Sequence, residues 1–288
     1  MEDGFSLRDS TVGIFGLGLM GGSLAMSLKG KCARIIGFDS HLPTLELALS
    51  KNIIDQARPH PQALSHWERG VDILILATPV STIIDILQQL PSFIQHPCII
   101  MDLGSTKRDI LQAMSALPEN FDPIGGHPIC GKEKPGLENA DANMYANASF
   151  IITPLRRTTR HALSITQELI SVIGANLIEM TAEEHDRVFA STSHMPFLLS
   201  SALAESTPEE FSQFIGPGFR STSRLAGTPS HMMMGILKSN RENVLAAIRN
   251  FKSVFSEIEL ALENEEYVTL ENTLNESYHA YERLISTL

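Results

Sequence analysis

The stretch that most constrains this chain is Thr11-Val12-Gly13-Ile14-Phe15-Gly16-Leu17-Gly18-Leu19-Met20-Gly21. A short apolar strand runs straight into a G-x-G-x-x-G turn. A small-residue helix is expected over residues 20–29, then a second apolar strand, Arg34–Asp39. Each glycine has its own duty. Gly16 permits a tight turn, Gly18 lets the backbone approach a pyrophosphate, and Gly21 lets helix and strand pack closely. The helix N-terminus adds unpaired N–H groups and the positive end of its dipole. Leu17, Leu19 and Met20 complete the loop that would cradle the phosphates. At the end of the second strand, the carboxylate of Asp39 can accept hydrogen bonds from ribose hydroxyls. It repels a 2′-phosphate, and Ser40, His41 and Leu42 supply no arginine, so the pattern points to NAD rather than NADP. A glycine-rich turn that binds nothing is the plainer alternative.

The alternation of strand and helix continues. Residues 72–77 form an uninterrupted apolar run, as in a strand buried on both faces. A helix is expected over 80–89, a strand at Cys98–Asp102, a helix over 107–116 and a short strand ending at 122–126. Two more strands, Ser149–Pro154 and 175–180, flank a helix at 161–173. This order predicts an α/β, Rossmann-type, doubly wound parallel sheet. After Met180 the strand signals stop, and 182–204, 209–214, 232–263 and 266–286 read as helical, with a Gly/Pro/Ser-rich break at 216–230. The expected domains are 1–180, dinucleotide-binding, and 181–288, all-helical.

Composition removes other classes. A chain with 43% hydrophobic and 19% charged residues has a globular core. A formal net charge of -11 without a basic cluster argues against nucleic acid as a partner. No apolar run approaches the roughly 20 residues of a membrane helix, and the acidic, polar start MEDGFSLRDS is no secretory signal. Cys32, Cys98 and Cys130 are widely spaced, which suits neither a disulfide framework nor a zinc site and points to a reducing cytoplasm. Glu183, Glu184, His185 and His194 lack H-x-x-x-H spacing, so no metal is expected.

In open α/β sheets, ligands lie beyond the carboxyl ends of the strands. Ala77-Thr78-Pro79-Val80 closes one strand, placing Thr78, Pro79 and Val80 toward a nicotinamide, although proline at a helix start is also an ordinary cap. Asp102-Leu103-Gly104-Ser105-Thr106-Lys107 follows the next strand and GGHPICGKE (residues 125–133) the one after. Ser105 and His127 should therefore meet at the cofactor edge. A histidine there can act as a general base, since its ordinary pKa is about 6.5. A satisfied structural histidine is the alternative.

The motifs GLGLMGGSLA, DLGSTK, GGHPICGKEKPG, EEHDRVFASTSHMP and GFRSTSRLAG, in this order, resemble the prephenate/arogenate (cyclohexadienyl) dehydrogenase family from about Val12 to Asn243. The resemblance implies NAD-dependent oxidative decarboxylation of prephenate to 4-hydroxyphenylpyruvate, in tyrosine biosynthesis, with arogenate as the neighbouring substrate. It implies that His127 takes the proton of the ring C4 hydroxyl and that Ser105 hydrogen-bonds both. Arg224 would pair with the ring carboxylate, with Arg220 as the alternative, and His194 would face the site. Asp186, after His185, would orient an arginine. Lys132, with Glu133 beside it, would lie near the three-carbon side chain, where its ammonium favours prephenate; a solvated surface lysine is the other reading. A homodimer through the helical domain is implied as well. The pattern departs at Phe197, where many relatives carry a second histidine, at Ser221 and within 232–234. The β-hydroxyacid dehydrogenases share the glycine turn but need a lysine on the first long helix after the sheet, and 182–204 has none. With the last helix ending near Ser286, no room is expected for an appended ligand-sensing domain, so tyrosine would inhibit only at the active site.

Overall fold

The chain is described by a computed structural model over residues 6–59, 70–132 and 134–286. Thr11–Phe15 (β1) lies at the centre because Val12, Ile14 and Phe15 are fully buried and its backbone pairs on both sides. It runs parallel to Arg34–Asp39 (β2) and to Ile73–Leu76 (β4), with Phe15 opposite Phe38 and Leu76. Further strands are Gln56–Pro59 (β3), Cys98–Asp102 (β5), Phe121–Pro128 (β6), Ser149–Pro154 (β7) and Asn176–Glu179 (β8). Together they form one eight-stranded sheet in the order β3-β2-β1-β4-β5-β6-β7-β8. The chain order reverses between β1 and β4, the switch point where such sheets open a crevice for ligands. The helices Leu19–Leu28 (α1), Leu42–Ser50 (α2), Val80–Phe93 (α3), Arg108–Ser115 (α4) and Arg160–Val172 (α5) link the strands.

Two features of the sheet differ from the sequence reading. β3 carries no apolar pattern: it is four residues long, half-exposed and ends in proline, all tolerable on an edge. The sheet is parallel except between β6 and β7, which are antiparallel, with His127 opposite Ile151. The described residues between them supply no crossover helix, which a parallel pair needs. Instead they lie across α1, where the hydroxyl of Tyr145 donates to the carbonyl of Met20 at 2.7 Å. The chain therefore re-enters the sheet from the end at which β6 left it.

Beyond β8 every element is helical. Ala182–Phe189 (α6) opens with a capping box, Thr181 accepting from the Glu184 amide while Glu184 accepts from the Thr181 amide. The single helix expected over 182–204 is two, α6 and Met195–Ser206 (α7), joined by a π-helical turn, Ala190–His194. Such turns often mark functional positions. The break expected at 216–230 contains a short helix, Pro217–Ser223 (α8), and a 3₁₀ turn, Arg224–Gly227. The run 232–263 divides at Asn240 into Ser230–Ser239 (α9) and Arg241–Glu263 (α10), before Tyr267–Ile285 (α11). Met233 and Ile236 of α9 join the core made by Val80 and Ile83 of α3, seating the helical part on the carboxyl edge of the sheet. Phe255 of α10 and Val268, Tyr278, Tyr281 and Leu284 of α11 stay exposed. Among the described residues no helix is long and apolar enough to cross a membrane.

The glycine turn provides a test of the packing. A Cβ on Gly21 would stand 1.9 Å from the Gly16 carbonyl, whereas one on Gly18 would meet nothing within 4 Å. Gly21→Ala should therefore lower the unfolding free energy in urea by about 1–3 kcal/mol, the usual cost of overpacking. Gly18→Ala should change it by less than about 0.5 kcal/mol.

Candidate active site

The crevice between β1 and β4 is lined largely by backbone. Gly16 adopts φ +87, a conformation that side chains resist. No side chain caps α1, which starts from Gly18. Leu17 turns its side chain into the core, and its amide donates to Asp39 Oδ2 at 2.8 Å, while the His41 amide donates to Oδ1 at 2.9 Å. Asp39 is thus fixed by the turn that it faces. On the opposite lip, Thr78 Oγ1 is buried with no hydrogen-bond partner among the described residues. Thr78 borders the turn closely, since a Cβ on Gly16 would come within 2.8 Å of its Cγ2. Pro79 caps α3 and Val80 is buried against it.

At the ends of β5 and β6 the site is built from charge. Asp102 is fully buried, with Oδ1 accepting from the Gly126 amide at 3.1 Å and Oδ2 from the Gly104 amide at 2.7 Å and from Lys107 Nζ. Lys107 is also fully buried. Burial lowers its pKa, opposed by Asp102 and Asp186. This pair ties the DLGSTK loop to β6 immediately before His127.

His127 is partly buried at the end of β6, and its Nδ1 lies 2.8 Å from His185 Nε2. His185 Nδ1 in turn lies 2.8 Å from Asp186 Oδ1. Asp186 also caps the first turn of α4, accepting the Lys107 amide at 2.7 Å and the Arg108 amide at 3.0 Å. Burial would raise its pKa, but the His185 and backbone hydrogen bonds hold it below the usual carboxylate range. Burial, reinforced by His185, Lys107 and His194, pushes the His127 imidazole well below its ordinary value. Burial likewise lowers His185, against the pull of Asp186. His194, on the π-helical turn, is buried and pushed down to about 4 by that burial. Asn240 Nδ2 lies 2.6 Å from the Asp186 carbonyl and 3.3 Å from His194 Nδ1. The Phe189 ring packs edge-on against His127, with centroids 4.9 Å apart.

Several expected roles sit differently. His127 uses Nδ1 on His185, and Ser105, on the loop after β5, makes no hydrogen bond to it among the described residues. Asp186 accepts from the backbone amide of Arg108 and so caps the start of α4. Lys132 is not a free cation. Its Nζ donates to Asp141 Oδ2 at 3.0 Å and to the Asn139 carbonyl at 3.4 Å, a short reach along a loop that Ser23 of α1 anchors by bonding the Asp141 amide. Glu133 lies outside the described residues. Arg220 and Arg224 are exposed, and Arg224 lines a cavity of about 420 Å³ with Met195, Pro196, Leu199 and Phe251, just beyond His194. The His127–His185–Asp186 chain does not include Arg224. Sequence reasoning missed Lys107, Phe189 and Asn240; the Ser-Asn-Arg break between α9 and α10 was the available signal for the last.

Residues 24–179 match a family model described as prephenate dehydrogenase, nucleotide-binding domain, and residues 181–276 one described as prephenate dehydrogenase, dimerization domain. The chain is 32% identical over 247 residues to the prephenate dehydrogenase of Bacillus subtilis (strain 168), a match covering 82% of this chain and 65% of that enzyme, slightly under two thirds of its length. The prephenate dehydrogenase of Lactococcus lactis subsp. cremoris (strain MG1363) is 32% identical over 276 residues, 91% of this chain and 74% of that one. Among solved structures, prephenate dehydrogenase from A. aeolicus in complex with hydroxyphenyl propionate and NAD+ aligns at TM-score 0.88 and 30% identity, covering 97% of this chain and 100% of that one. Synechocystis arogenate dehydrogenase aligns at TM-score 0.79 and 25% identity, over 96% and 100%.

The two lysine pairs should separate in stability. Removing one member of a buried ion pair costs about 3–5 kcal/mol, so Lys107→Ala should shift urea unfolding by that amount. Lys132→Ala, which breaks a pair about two-fifths exposed on both sides, should cost less than about 1 kcal/mol.

Proposed function

The chain belongs to the prephenate dehydrogenase family, and from that premise we propose that it oxidatively decarboxylates prephenate to 4-hydroxyphenylpyruvate with NAD+. The observation that carries this reading is His127: a partly buried, neutral imidazole at the sheet's carboxyl edge, with one ring nitrogen engaged by His185 and the other left for a substrate. Residues 1–180 act as the NAD-binding domain and 181–288 as the substrate-binding and dimerisation domain. The crevice fits the dinucleotide. The open space over Gly18, the uncapped start of α1, the anchored carboxylate of Asp39 and the partnerless hydroxyl of Thr78 each offer what one part of it needs.

When bound, NAD+ supplies the hydride acceptor. His127 Nε2 accepts the proton of the C4 hydroxyl while that carbon is oxidised. Loss of the ring carboxylate as CO2 aromatises the ring, and the same proton returns to what is now a phenol oxygen. The reaction therefore releases no net proton. Aromatisation drives it, so the protein's task is orientation and a single proton transfer. Ser105, on the loop clamped by Asp102 and Lys107, hydrogen-bonds the reacting hydroxyl. The guanidinium of Arg224 suits the ring carboxylate. His194, with Nδ1 against the Asn240 amide, keeps an Nε2–H for the substrate. The exposed apolar side chains of α10 and α11 support a homodimer, and three free thiols suit the cytoplasm.

Initial rates of NADH formation test the assignment: prephenate should be turned over in preference to arogenate, and the reverse preference would make arogenate the substrate. NAD+ should far outperform NADP+, with Asp39→Ala narrowing the gap. His127→Asn should lower kcat by about 10²-fold or more while NAD+ still binds. The base works unprotonated, and its pKa lies well below 6.5. kcat/KM should therefore hold steady as pH falls through about 6.5 and decline only in more acidic solution; a decline centred at or above that value would assign the limb to another group.

A further inference from the structure

We propose that His185 and Asp186 are positioning residues that decide which nitrogen of His127 carries its hydrogen, a reading that rests on His127 as the base. The hydrogen-bond geometry fixes the assignment from one end. A carboxylate only accepts hydrogen bonds, and Asp186 receives three: from the amides of Lys107 and Arg108 and from His185 Nδ1. His185 Nδ1 therefore carries a hydrogen. In neutral His185 the other nitrogen, Nε2, is then bare, and it lies 2.8 Å from His127 Nδ1. The one hydrogen between the rings must belong to His127. His127 is thus held as the Nδ1–H tautomer, the minor form of histidine in water, with a lone pair on Nε2.

The arrangement works throughout the reaction. When Nε2 accepts the substrate's proton, the imidazolium keeps donating Nδ1–H to His185, with the Asp186 carboxylate behind it to balance the charge. When the proton returns to the product oxygen, the starting tautomer is restored with no hydrogen bond having changed direction. A protonated His185 would instead donate toward His127, place the hydrogen on Nε2 and close the base. Lys107, buried beside the cluster, and the lack of solvent oppose that state, while Asp186 and Asp102 favour it. Phe189 packs against both rings and keeps them from turning. The logic is that of a hydrolase triad, where an aspartate selects the histidine tautomer, with a second histidine inserted.

The decisive measurement is the tautomer of His127 in the intact protein with NAD+ bound, read from ¹⁵N chemical shifts of labelled histidine near pH 7.5. Nδ1–H is expected, and Nε2–H in the unaltered protein would overturn the proposal without recourse to any variant. In Asp186→Asn the amide can donate to His185 Nδ1, reversing both hydrogen bonds. Its kcat should fall by about 10²–10⁴-fold, as in triads given the wrong tautomer, with KM for NAD+ unchanged and the His127 signal moved to Nε2–H. His185→Phe should lose kcat similarly. His185→Gln, whose carbonyl can accept from His127 and whose amide can donate to Asp186, should recover much of it. Full kcat in both His185→Phe and Asp186→Asn would overturn the positioning role while leaving His127 as the base. Full kcat in His127→Asn would overturn the base itself.

Discussion

The structure turns on one buried carboxylate. Asp186 is 1% exposed, and removing a charge from water on that scale is costly unless hydrogen bonds replace the lost solvent. Here three do, two from the first turn of α4 and one from His185. Hydrogen bonds to an ionised acceptor are the stronger kind, and the helix start adds its own positive potential. Asp186 belongs to α6 of the helical part and its two amide partners to the start of α4 in the dinucleotide-binding part. The group that seats one half on the other is therefore also the group behind the histidines. Asn240, reaching the Asp186 carbonyl and His194 together, extends the same joint to the start of α10.

Around that joint the protein keeps its titratable groups in matched states. Lys107 and Asp102 are buried as a pair whose remaining acceptor capacity is taken up by the Gly104 and Gly126 amides. Breaking such a pair is far worse than never having one, so the loop carrying Ser105 and the strand carrying His127 are locked by the same contact. The three histidines of the cluster are all driven toward neutrality by burial. The proposed role of His127 gains from this, because a base protonated in advance is no base.

The two halves of the site were unequally legible in the sequence. The cofactor crevice depends on local backbone needs, and those leave marks: Gly16 at positive φ, Gly21 against a carbonyl and Asp39 at a strand end all fall within one short motif. The strand–helix alternation gave the Rossmann-type sheet for the same reason. β3 was invisible because an exposed edge strand needs no apolar pattern, and the antiparallel β7 because its direction follows from a loop laid over α1. The strand-end position of His127 could be read; its wiring could not. His185 lies 58 residues away on another element, and no spacing rule links two side chains that meet across a domain joint. The partner of Lys132 was hidden for a related reason: Asp141 reaches it only in the tertiary structure.

This division has a physical consequence for how cofactor binding and chemistry depend on each other. The described contacts of the crevice over Gly16–Gly21 come from β1, α1, β2 and the end of β4, and just past that end Val80 packs with Met233 and Ile236 of α9. His127 Nδ1, by contrast, is held only when α6 is seated, since His127 gains its partner and α4 its cap from the same two residues, His185 and Asp186. Loosening the joint would release the α4 amides and His127 Nδ1 together, while leaving the Asp39 carboxylate held by Leu17 and His41. The bonds that fix Asp39 therefore lie within one domain, and the bond that holds His127 Nδ1 lies across the seam between two.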